Sequence, residues 1–148
     1  MEYFLAFAAL VIFLMIKSQY DQKKKERALE RRLRDRFGKV SETEYTEEKY
    51  GSLQYYFRSK STDALDDITW HYLDMDEIYM LMNQTNCAMG EEYLYDLLRR
   101  PISDQVELAE RMRLIHYFKT HEEERVQLQL ALARIGKFSG ISLYEYYT

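Results

Sequence analysis

One proline and five glycines in 148 residues leave this chain very few places to turn. An all-β domain needs turn signals about every 8–12 residues. A chain this poor in them is built from long helices. No segment alternates polar and apolar over a strand length between turn residues, so the expected class is all-α. The length fits one modest domain plus an appendage.

The appendage is at the start. Residues 3–16, YFLAFAALVIFLMI, are continuously apolar. As a helix they reach about 21 Å, against roughly 30 Å for a bilayer's hydrocarbon core. Snorkelling by Lys17, extension through Ser18–Tyr20 and bilayer thinning would close that gap. A cleaved signal peptide carries basic residues before its apolar run and small residues after it. Here Glu2 precedes, and Lys17-Ser18-Gln19-Tyr20-Asp21 follows. The expectation is therefore an uncleaved N-terminal transmembrane helix over residues 1–20.

Charge is divided along the chain. Residues 17–39 hold Lys17, Lys23, Lys24, Lys25, Arg27, Arg31, Arg32, Arg34, Arg36 and Lys39 against Asp21, Glu26, Glu30 and Asp35, a net +6. Residues 40–148 carry −9. Positive flanks stay on the cytoplasmic side, which predicts a single-pass protein of the cell membrane, N-terminus out and C-terminal part cytoplasmic. The basic run would also attract anionic lipid, at about 1 kcal/mol per residue near the surface. Non-specific contact with nucleic acid is the weaker alternative.

Beyond the anchor, residues 21–63 read as a basic juxtamembrane helix and polar linker. Leu29, Leu33 and Phe37 form an i, i+4 stripe that Gly38 ends. Ser41–Glu48 is a polar linker, Tyr50, Leu53 and Phe57 suggest a short helix, and Arg58–Thr62 is a second linker. Residues 64–148 then read as successive helices. Asp74 and Glu77 resemble a capping box, Thr85 or Asn86 caps the next helix, and Pro101 stops it. Ser103 caps the following helix, and Thr120 with Glu123 forms a second capping box before a helix that ends at Gly136.

Within this region the pattern Thr85-x-x-x-Met89-Gly90-x-x-x-Leu94-x-x-Leu97-Leu98-x-x-Pro101-Ile102 resembles the central helical segment of the MutS family of DNA mismatch-repair ATPases. Arg111 and Ile115 follow where that family has an Arg and an Ile. The spellings Asp66-Asp67-Ile68-Thr69-Trp70 and Leu73-Asp74-Met75-Asp76 look closest to membrane-anchored MutS-related proteins of bacteria. The resemblance covers residues 64–143. It implies that 64–148 is a partial MutS core-like domain, linking DNA clamp and ATPase in the intact family. For an intact member it also implies ATP, Mg and DNA as ligands, and dimerisation.

The chemistry of that family is not spelled in this chain. No G-x-x-x-x-G-K-[ST] loop is present: Val40 follows Gly38-Lys39 and Phe138 follows Gly136-Lys137. No Phe has Glu two residues on, so the family's mismatch-reading motif is missing too. His121-Glu122-Glu123-Glu124-Arg125 lacks the second His of a zinc-protease helix. Asp66, Asp67, Asp74 and Asp76 lack the central Gly of a calcium loop and read as helix caps. Trp70 reads as a packing anchor, Glu91 and Glu92 as charges favoured in a helix first turn, and Cys87 as a buried inert thiol. Arg99-Arg100 and Arg111-Arg113 are the basic pairs able to touch phosphate, in a region that is acidic overall.

The functional expectation is a membrane-anchored fragment of a MutS-related protein, a structural connector without catalytic, cofactor or metal residues. Several helices carry apolar side chains on two sides, and the chain stops at Leu143-Tyr144-Glu145-Tyr146-Tyr147-Thr148. Both features fit a helical domain completed by a missing portion, or a dimer interface. The alternative is a small membrane-tethered adaptor that binds another protein through a Tyr- and Met-rich surface.

Overall fold

A computed structural model describes residues 2–41, 51, 53, 54, 57, 64–100 and 102–137. All regular structure among the described residues is helical. The chain divides into two compact units, Met1–Phe37 and Gly38–Thr148. Tyr50, most of both linkers, Pro101 and the tyrosine-rich end at 143–148 lie outside the described residues.

The first unit is one helix, α1 (Glu2–Arg36), about 52 Å long by its rise. It runs without a break across the apolar-to-basic boundary at Lys17. Every side chain from Leu10 to Ile16 is exposed. Four successive residues step round a full helical turn, so this apolar surface is open on all sides. Among the described residues no helix is long and apolar enough to cross a membrane. The physical reason is the one in the sequence, an apolar run about 9 Å shorter than the hydrocarbon core. Gly38, at φ 75°, closes the helix as a left-handed stop.

The second unit is built from α2 (Asp67–Tyr72), α3 (Met75–Met82), α4 (Ala88–Arg99), α5 (Gln105–Thr120) and α6 (Glu122–Ile135). Gly51, Leu53, Gln54 and Phe57 also have helical backbone. The core is aromatic. Leu53, Trp70, Tyr79 and Tyr95 are buried together, with Phe57, Met75, Leu94 and Leu98 packed against them. Tyr95 is its hub. Its ring centroid lies 5.1 Å from Trp70, and edge-to-face at 5.7 Å from Tyr79 and 6.2 Å from Phe57. Such geometries are favoured by the ring quadrupoles.

The helix starts differ from the sequence reading in an instructive way. Asp66, not a residue of a capping box, caps α2 by accepting from the Thr69 backbone N and Oγ1. Asp74 does precede α3, but at φ 49° and ψ 38° its side chain makes no capping bond. A cap needs extended backbone to carry its oxygen over the first turn. The cap expected at Ser103 is off by one, since Asp104 Oδ1 accepts from the Val106 backbone N. The Thr120 capping box does not form. Thr120 Oγ1 donates back to the His116 and Tyr117 carbonyls, and His121 alone separates α5 from α6.

α5 buries none of its side chains, and α6 buries only Arg125 and Val126. Arg125 donates to the Phe118 carbonyl at 2.7 Å, fastening α6 to the last turn of α5. Leu108, Met112 and Ile115, whose i, i+4, i+7 spacing is that of an inward face, are exposed.

Candidate functional site

Two buried polar centres flank α4, and together they absorb most of the charged side chains near the family-like motif. The first sits at its N-terminal end. α4 begins after Cys87, whose side chain makes no capping bond. The Ala88 backbone N instead donates to the Gly136 carbonyl at 3.1 Å. Gly136 reaches it with φ 83° and ψ 173°, a backbone region essentially reserved for glycine. The next residue completes the closure, with Lys137 Nζ 2.7 Å from Glu91 Oε1. Asn83 Nδ2 donates to the Tyr79 hydroxyl at 3.0 Å and approaches Glu91 Oε1 at 3.4 Å, while the Tyr79 hydroxyl donates to the Glu91 carbonyl.

Thr85 and Gly90 belong to this centre. The Thr85 backbone N and Oγ1 both donate to Asn83 Oδ1, at 3.0 and 2.6 Å. Thr85 therefore stabilises the turn and does not cap α4. A Cβ on Gly90 would stand 3.3 Å from Thr85 Cβ and 3.4 Å from Cys87 Sγ. Glycine here lets the first turn of α4 lie directly on the 83–87 turn. Glu91 falls in the first turn of α4, and both it and Glu92 are buried. Cys87 is buried and free.

The second centre is at the C-terminal end of α4. Arg99 is 3% exposed. Its Nη1 donates to Asp67 Oδ1 at 2.7 Å and the Leu65 carbonyl at 3.1 Å, and its Nη2 to the Tyr95 hydroxyl at 2.8 Å. The guanidinium lies 4.2 Å from the Trp70 ring centroid and 5.1 Å from that of Phe57. Trp70, 1% exposed, donates from Nε1 to Asp76 Oδ1 at 2.7 Å. Burial pushes the Tyr95 phenol up from its ordinary pKa, and the Arg99 hydrogen bond and charge oppose that. At Asp66 the hydrogen bonds from Thr69 hold the carboxyl below its ordinary pKa.

The remaining motif residues scatter. Leu94 and Leu98 pack on the aromatic core and Leu97 is half-buried, whereas Met89 and Ile115 are exposed. Arg111 is half-buried and paired with Glu107 at 3.1 Å. The structure thus brings Thr85 and Gly90 together, and places Leu94 and Leu98 on one packed face. Met89, Arg111 and Ile115 share no site with them. Each arginine of the two basic pairs has a carboxylate beside it: Asp67 for Arg99, Asp96 for Arg100, Glu107 for Arg111 and Glu110 for Arg113, the last pair exposed. On α1, Lys17, Lys23, Lys24, Lys25, Arg27, Arg31 and Arg32 are exposed, Arg36 is half-buried, and Arg34 pairs with Glu30.

The guanidiniums nearest the motif are held by carboxylates, and no group of three His, Cys, Asp or Glu able to hold a metal occurs among the described residues. Asn83, Tyr95, Lys137 and the paired role of Arg99 were not legible from the sequence. Lys137 and Arg99 find their carboxylates 46 and 32 residues away, beyond any local pattern.

No protein-family model matches the chain, no curated protein matches it, and no solved structure matches it.

Proposed function

We propose that this chain is a membrane-tethered helical connector: α1 inserts residues 3–16 into a bilayer, and the second unit positions a partner without doing chemistry. One observation carries this reading. α1 is apolar and exposed on every side through Leu10–Ile16, then basic and exposed through Ala28. A helix apolar all round belongs in a protein core or a membrane. The basic flank favours a membrane with that flank on the cytoplasmic side. Bilayer thinning and snorkelling by Lys17 accommodate the short run.

The connector half rests on the second unit. Its charged residues around α4 are committed to one another, which suits a rigid spacer. The resemblance to the MutS helical core offers a precedent for such a spacer, and DNA, ATP and Mg enter only through that resemblance. A second reading, the adaptor, is favoured by a specific observation: Met89 and Tyr93, four residues apart on α4, are both exposed.

Flotation of the full chain with lipid vesicles tests the tether. The chain is expected to float and to resist alkaline carbonate, and Val11→Asp with Leu14→Asp to release it. A wild-type chain that stays at the bottom of the gradient would sink the proposal.

A further inference from the structure

We propose that the acidic, apolar face of α2–α3 docks the basic row of α1 from a second copy of this chain. The face is unusual for a surface with no partner. Ile68 and Tyr72, at i and i+4 on α2, are 83% and 86% exposed, and Leu73, which follows them, and Leu81 on α3 are exposed too. Single exposed apolar residues are ordinary, but a group of them marks an interaction site. Residues 64–82 also hold five carboxylates and neither Lys nor Arg. Arg99 pairs with Asp67, and Asp76 accepts from Trp70 Nε1 with His71 Nδ1 3.8 Å away, so the segment stays acidic in net charge. A surface of this sign repels lipid headgroups and nucleic-acid phosphates, so its partner is cationic.

The complement is in the same sequence. Lys17, Tyr20, Lys24, Arg27 and Arg31 recur at i, i+3, i+7, i+10 and i+14, which puts them on one side of α1. All five are exposed, and the row lies opposite buried Leu33. An aromatic ring among cations matches apolar side chains among carboxylates. Lipid does not account for the whole row. Arg31 lies about 21 Å along the helix beyond Lys17, well past the roughly 8 Å over which charge is felt at physiological salt. Two copies, each offering both surfaces, can dock reciprocally, as a two-fold dimer requires. Confinement to one membrane would strengthen this contact, but the contact does not depend on the tether.

The test mixes two full-length variants, Ala28→Cys beside the row and His71→Cys beside the face, in phosphatidylcholine vesicles. Native Cys87 is buried in both. Oxidation should yield a mixed disulfide. Glu77→Lys on the His71→Cys copy should lower its yield about fivefold, as should Tyr72→Ser, and Lys24→Glu on the other copy should restore the Glu77→Lys loss. Failure to form the adduct while both new thiols react with maleimide would overturn the proposal. So would an adduct indifferent to Glu77→Lys and Tyr72→Ser. Loss of the adduct when phosphatidylserine replaces the neutral lipid would assign the row to lipid instead. Flotation of the same vesicles reads the tether separately, and if the chain does not float the adduct is scored in detergent micelles.

Discussion

Arg99 is the side chain whose removal should cost the second unit most. Its guanidinium makes three hydrogen bonds, one of them to a carboxylate, and lies against three aromatic rings in a site that is 3% exposed. Truncation to Ala leaves the Tyr95 hydroxyl and the Leu65 carbonyl without this donor and opens a cavity beside Trp70. Hydrogen bonds involving a charged group contribute about 1.5–3 kcal/mol each, and breaking a buried ion pair costs roughly 3–5 kcal/mol. Two features reduce the total. The Asp67 side chain is 79% exposed and is re-solvated readily, and Arg99 Nε has no partner even in the intact protein. The expected net loss is about 3 kcal/mol for Arg99→Ala, a large share of the roughly 5–15 kcal/mol that holds a domain together. Arg99→Lys keeps the charge but not the planar fork, and should lose about half as much. The assay is built in. Trp70 is the only tryptophan and touches Arg99, so its emission reports urea unfolding of this centre directly. With a urea dependence of about 1–3 kcal/mol per molar, the Arg99→Ala midpoint should fall by about 1–3 M. Equal midpoints for wild type, Arg99→Ala and Arg99→Lys would refute the claim that this guanidinium organises the core.

Three further outcomes follow from the same geometry. Gly136→Ala should destabilise by about 1–3 kcal/mol, because φ 83° with ψ 173° admits little but glycine, and hydrogen exchange at the Ala88 amide should speed up with it. Gly90→Ala trades a helix-propensity gain of up to about 1 kcal/mol against a Cβ pressed to 3.3 Å from Thr85, which its two bonds to Asn83 hold in place; net destabilisation is expected, and Gly90→Val should be worse by thermal melt. For Tyr95 the folded phenol titrates above its ordinary value of 10.0, so the stability it contributes is complete below that pH and is lost as pH rises through the raised pKa. A urea midpoint that falls above pH 10 in wild type, and falls less steeply in Tyr95→Phe, would bear this out.

The helix content and the helix stops at Gly38 and Gly136 were readable from local chemistry, because both glycines act through their own φ, whereas the start at Asp104 was read one residue early, at Ser103. The caps failed where a competitor sat nearby. Thr120 Oγ1 found the His116 carbonyl instead of the next turn, and Asp74 was placed in left-handed backbone from which no cap can form. The polar centres were illegible for a different reason. Glu91 reads as a solvated first-turn acid until Lys137 is brought to it, and Arg99 reads as a surface cation until Asp67 is. Both pairings are set by how α4 packs, not by spacing along the chain. The single-pass anchor was expected from an apolar run whose shortness was visible at once, and that shortness is the reason no helix of the described residues has the length and apolarity to cross a bilayer.

The most direct test of the tether is a spin-label scan of residues 7–16, one site at a time, on the full chain in vesicles. The account predicts uniformly high contact with oxygen dissolved in the lipid and low contact with a water-soluble relaxation agent, at every position and on every face of the helix. A 3.6-residue alternation between the two, or water contact throughout, would mean that α1 lies on a surface or packs against protein, and would contradict insertion.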